Sequence, residues 1–135
     1  MTLHGSCLCG QITYRITGPL QGPLNCHCSM CRKAQGSAFR TRAAVRSAEF
    51  EWLSGRDLLT RYQSSPGEYR SFCSVCGATM VTFFDNDPNW LGFAFGTLDD
   101  DPGVKPECHI FVGSKAPWHE ITDDLPQYGE WPPKD

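Results

Sequence analysis

No acidic residue precedes Glu49 in this 135-residue chain. Arg15, Arg32, Lys33, Arg40, Arg42 and Arg46 all lie before that point, so a net charge of −3 conceals a cationic first third and an acidic remainder. No run of about eighteen apolar residues occurs, which argues against a membrane-spanning helix. The opening MTLHGSCLCGQ lacks a charged segment followed by an apolar stretch, so no secretory signal is expected and the chain reads as soluble and cytoplasmic. Lysines are few, and RNP, KH and helix-turn-helix patterns are missing; with the acidic balance, a nucleic-acid partner is not expected. A chain of this length has room for one folding unit with a modest core.

Cysteine, by contrast, is abundant, with eight in the chain. In a reducing compartment disulfides are rare, so such a count points to metal binding or thiol chemistry. A secreted disulfide framework is the competing account. The spacing opposes it: C-x-C occurs twice and C-x-x-C twice, which converges sulfurs on a point as metal ligands do.

Short alternating or apolar runs bounded by Gly, Pro, Asn, Asp or Ser predict strands over 11–17, 37–45, 48–53, 58–63, 69–73, 78–84, 90–95 and 108–112. A single short helix is expected over 29–35, stopped by Gly36. The pattern is that of a mainly β, twisted fold: residues 1–126 form one domain and 127–135 a polar, Pro-rich tail along the surface or frayed. Trp52, Trp90, Phe93, Phe95 and Phe111 recur at strand period and are expected in the core. The aspartates Asp99, Asp100 and Asp101 before Pro102-Gly103 read as a solvated turn. No role falls to His4 or His119.

The thiols fall into two groups. Cys7 and Cys9, at i and i+2 on extended backbone, point to one side, and Cys73-x-x-Cys76-Gly77 has the zinc-knuckle spacing in which glycine accepts a left-handed turn. Joined, these four make a closed, structural S4 zinc site. Cys26, Cys28 and Cys31 remain for a second zinc. Should Cys108 join them, the shell is complete and inert; the favoured alternative leaves Cys108 a buried free thiol and the fourth position open. His27 and His109 could also ligate but are expected as hydrogen-bonded neighbours.

Three thiolates more than cancel the charge of Zn2+, which weakens its acidification of water and suits it to an incoming thiol. Arg32 and Lys33, directly after the cluster, and Arg40 and Arg42, alternating on a strand, are candidates to bind an anionic carrier of that thiol.

The ordered motifs GSCLCG, CHCSMCRKAQG, SFCSVCGAT and GTLDDDPGVKPECHIFVGSKAPWHE resemble the glutathione-dependent formaldehyde-activating enzyme family, whose broader superfamily includes centromere protein V-like chains. The resemblance runs from about Gly5 to Trp118. It implies an Mss4-like antiparallel β fold with zinc knuckles, two zinc ions per chain on the groups above, and catalysis at Cys26, Cys28 and Cys31. The implied activity is that of a carbon-sulfur lyase, S-(hydroxymethyl)glutathione synthase, with glutathione and formaldehyde as reactants. Two alternatives compete: a non-catalytic, zinc-stapled interaction module, and a redox-sensitive zinc-thiolate protein.

Overall fold

A computed structural model describes residues 2–133. In chain order its strands are β1 (Leu3–Ser6), β2 (Thr13–Ile16), β3 (Gln21–Cys26), β4 (Arg40–Arg46), β5 (Phe50–Ser54), β6 (Leu59–Ser65), β7 (Glu68–Cys73), β8 (Thr79–Phe84), β9 (Trp90–Ala94) and β10 (His109–Ile110). One α-helix, α1 (Ser29–Gln35), and four single-turn 3-10 helices complete the elements among the described residues. The fold is mainly β, as the strand-rich sequence predicts. Among the described residues, no helix is long and apolar enough to cross a membrane.

The strands divide between an antiparallel sheet ordered β1-β2-β5 and a seven-stranded sheet ordered β10-β3-β4-β9-β8-β7-β6, in which β10 alone pairs in parallel. Between them lies the main core. Tyr14 of β2 stacks on Phe50 of β5 with ring centroids 4.7 Å apart, and presents its edge to Phe93 of β9 at 6.3 Å. Its hydroxyl shares a 2.6 Å hydrogen bond with Thr97, so the one polar atom of a fully buried ring is satisfied. Gly5, opposite Tyr14 in the β1–β2 register, has no alternative: a Cβ there would lie 2.1 Å from the Tyr14 ring.

β1 and β3 are additions to the eight strands expected. Gly22-Pro23 reads as a breaker, yet β3 absorbs both at a bulge between Gln21 and Leu24, where a proline needs no ladder donor. β1 is too short and too glycine-like to announce itself. The helix matches its expected bounds, and Gly36 adopts φ 61° and donates its N–H to the Arg32 carbonyl as a left-handed cap. Of the expected tail, residues 127–131 lie along β10: the N–H groups of Phe111, Val112 and Tyr128 donate to Glu130, Tyr128 and His109 carbonyls at 2.9–3.1 Å, while 134–135 lie outside the described residues.

Candidate metal centres and active site

Two turns of the same design hold the first cysteine group. Cys7 N–H donates to the Ile12 carbonyl at 3.0 Å and Gly10 N–H to the Cys7 carbonyl at 3.1 Å; Cys73, Ala78 and Gly77 repeat this at 3.0 and 2.8 Å. Cys9 and Cys76 each precede a glycine at φ near +80°, which a side chain would resist. The Cys7–Cys9 pair therefore sits on a tight turn and not on the extended backbone expected. The four sulfurs lie within 4.8 Å of one another, with Cys7 to Cys9 at 3.5 Å and Cys9 to Cys73 at 3.9 Å. A tetrahedral S4 zinc with Zn–S bonds of about 2.3 Å requires sulfurs roughly 3.8 Å apart, so the donor set fits that ion. Ala78 N–H helps hold the Cys76 thiol down to about 6, which favours the thiolate a metal needs.

The second group is built at a strand-to-helix junction. Cys26 ends β3, Cys28 is the N-cap of α1 and Cys31 lies buried in its first turn. Their sulfurs too lie within 4.8 Å of one another, and Cys31 N–H donates to Cys28 Sγ at 3.3 Å. Hydrogen bonds from Cys26 and Cys31 pull the Cys28 thiol far below its ordinary value. All eight cysteines are unbridged, and Cys108 stands apart from both groups, its thiol raised by burial. Among the described residues, then, the second group offers three ligands.

Neither histidine joins them. His27 and His109 share a 2.8 Å hydrogen bond, and Asp123 accepts from His109 Nε2 at 3.0 Å. That carboxylate places the His109 proton on Nε2, leaving Nδ1 to accept from His27. Burial drives His27 down to about 4, so the ring stays neutral near pH 7.

The three sulfurs open onto a cavity of about 750 Å3. Its floor is one cross-strand row of the large sheet: Gln21, Ala44, Gly92, Thr82 and Arg70 pair in sequence from β3 to β7. Ala44 and Gly92 are small, which makes the surface concave. Arg40 sits opposite Cys26 in the β3–β4 register and is 3% exposed; its Nη1 donates to Thr82 at 3.0 Å, while Nε and Nη2 have no partner. Burial draws its pKa down to about 10, still charged at neutral pH. Arg70 Nη2 reaches Cys31 Sγ at 3.5 Å, and its buried Nε and Nη1 are unpaired. Burial opposes its charge, but the Cys31 contact prevails and holds the guanidinium above its usual pKa.

The architecture and the cysteine order can be compared with known proteins. The model of the family described as glutathione-dependent formaldehyde-activating enzyme matches residues 2–114. This chain belongs to that family. A Halomonas elongata protein named "Putative glutathione-dependent formaldehyde-activating enzyme" is 35% identical over 132 residues, covering 90% of this chain and 82% of its own. A Schizosaccharomyces pombe protein named as an uncharacterized lyase is 27% identical over 123 residues, with 84% and 88% covered. A crystal structure of a Rhodobacter sphaeroides protein shares the fold, with a TM-score of 0.61 at 24% identity over 76% of this chain and 97% of that one.

Within this family member, Arg40 and Arg42 line the cavity, whereas Arg32 and Lys33 do not. Adjacency in sequence misleads there, because α1 turns Cys31 inward and carries Lys33 out to solvent. Arg70 escapes the sequence analysis altogether: it is 39 positions from Cys31 and meets it only through strand register. Alternation along β7, which sets Arg70 on the face opposite Cys73, is the signal that could have found it. Trp90 and Phe111, expected in the core, line the cavity instead, as does Trp131 of the tail. Phe93 is in the core as expected, fully buried.

Proposed function

We propose that the chain is a zinc-dependent carbon-sulfur lyase-type enzyme acting on a glutathione adduct such as S-(hydroxymethyl)glutathione. Cys7, Cys9, Cys73 and Cys76 would hold a structural zinc, and Cys26, Cys28 and Cys31 a second one. The observation that carries the proposal is the trio of sulfurs without a fourth chain ligand, facing a cavity whose wall includes two largely buried guanidinium groups, Arg40 and Arg70. Family membership and the relatives' names support the substrate class. Free thiols throughout suit a reducing compartment such as the cytoplasm.

Bound by three thiolates, zinc supplies a soft coordination position at which a visiting thiol sheds its proton. The protein's own groups do the rest. In the synthetic direction the glutathione sulfur bonds to the aldehyde carbon, the C=O π pair moves onto oxygen, and the proton released by the thiol ends there. Negative charge thus migrates from sulfur to oxygen. Arg70, against Cys31, lies where that charge starts; the positive charge of Arg40 and Arg70 in the cavity wall would stabilise it where it arrives. Arg42, nearer the rim, would pair a glutathione carboxylate.

Two-dimensional exchange NMR on formaldehyde and glutathione tests this, because it reads formation and breakdown of the adduct at equilibrium. Acceleration over the uncatalysed exchange is expected, and its loss in a folded Cys28→Ser variant. No acceleration by the zinc-loaded wild type with formaldehyde or any other small aldehyde would remove the proposal.

A further inference from the structure

The cavity is larger and more aromatic than a one-carbon aldehyde requires. At about 750 Å3 it lies in the upper part of the range that holds drug-sized ligands, whereas formaldehyde adds only a hydroxymethyl group to sulfur. The cavity's cationic groups, Arg40 and Arg70 beside the thiols and Arg42 over Trp131, suit the carboxylates and developing charge already described.

Beside the same thiols the wall is aromatic as well as cationic. Phe111 packs against the cluster formed by Leu24, Cys26, Cys31 and Ile110. It is the one non-glycine residue at positive φ among those described, at 54°, a conformation a bulky side chain resists and that tends to mark functional sites. The tail enforces it: Phe111 N–H donates to the Glu130 carbonyl at 3.1 Å and Val112 N–H to Tyr128 at 3.0 Å. The same tail delivers Trp131, whose ring meets Phe111 edge-on at 5.5 Å and 81°. Arg42 sits 5.7 Å over the Trp131 ring and braces it, although the indole is 60% exposed. Backbone strain is thus retained to aim a ring at the reacting sulfur's surroundings, and a second ring is left open to solvent beside it. Glutathione's amides and carboxylates gain little from such a corner, and formaldehyde has nothing to place in it.

Resting on the function proposed above, we infer that the carbonyl reactant is an aldehyde bearing an apolar, phenyl-sized substituent, seated on the Phe111–Trp131 corner while its carbonyl carbon meets the glutathione sulfur. The bond changes are those of the hemithioacetal: S–C forms, the π pair goes to oxygen, the thiol proton follows, and no oxidant or reductant takes part.

Binding of unreactive thioether mimics decides the matter independently of turnover. S-benzylglutathione and S-methylglutathione are titrated calorimetrically into the purified protein, whose zinc content is measured beforehand. The benzyl compound is expected to bind on the order of tenfold tighter, about 1.4 kcal/mol, and Trp131→Ala to erase most of that ratio. Equal affinity of the two mimics for the wild type overturns the inference by itself, even if the variant fails to fold. Exchange NMR with phenylacetaldehyde and formaldehyde then separates the two levels of the argument. Formaldehyde turned over as well as phenylacetaldehyde, relative to the uncatalysed rates, overturns the substituent seat and leaves the lyase proposal standing. Acceleration of neither aldehyde overturns both.

Discussion

Replacing one cysteine in each group by serine separates scaffold from chemistry. Cys73 is fully buried in the main core, and its sulfur lies 3.9 Å from that of Cys9, 64 positions earlier. A metal cross-link there would close a loop of about 65 residues, which by loop-closure entropy would stabilise the folded state by about 4 kcal/mol. The second group spans only about six residues, for which the same relation gives about 2 kcal/mol. Cys28 is also only partly buried and leaves two partners behind. Against a typical total of 5–15 kcal/mol, Cys73→Ser removes a large share and should lower the melting temperature on the order of 15 °C. Cys28→Ser should shift it by at most about half as much. Thermal unfolding followed by circular dichroism, with zinc measured on the same samples, reads both effects. Equal destabilisation by the two variants would refute the division of labour between the groups.

Arg70→Met should lower kcat/KM by about 10²–10³ with the fold intact, since it removes a donor aimed at developing charge; partial recovery in Arg70→Lys would show that charge, and not packing, is responsible. Gly92→Leu projects a side chain from the cavity floor, where a Cβ meets Thr82 only at 3.7 Å; the fold should tolerate it while glutathione binding, followed by calorimetry, weakens at least tenfold, about 1.4 kcal/mol. Gly5→Ala should destabilise by about 2–3 kcal/mol in a denaturant titration, because the new methyl overlaps the Tyr14 ring. A chromogenic chelator should withdraw zinc in two phases, the first abolishing exchange activity with circular dichroism unchanged and the second coinciding with unfolding; a single phase would count against unequal centres.

The helix was legible because its signals are local: a short run of helix formers over 29–35 and a stop at Gly36, which takes the left-handed conformation. The grouping of the cysteines was legible for a related reason, since C-x-C and C-x-x-C spacings bring sulfurs together locally, although the Cys7–Cys9 turn was read as extended backbone. Pairing the two outer turns required only that four sulfurs make one shell. The cavity was not legible in the same way. Arg70, Thr82, Gly92 and Ala44 become neighbours through antiparallel register, which no short stretch encodes. The aromatics at strand period could not be assigned to core or cavity, because both faces of the large sheet carry aromatic side chains and alternation distinguishes the faces without naming them. Phe93 and Trp90, on one strand, therefore part company.

Because β7 carries Cys73 toward the core and Arg70 toward Cys31 and the cavity, a single sheet works as a bulkhead between the scaffold and the chamber. Residues on its outer face can change what is bound with little consequence for folding, so repertoires of altered selectivity are best sought at Ala44, Thr82 and Gly92, where new side chains would reshape the chamber and leave the scaffolding thiols untouched.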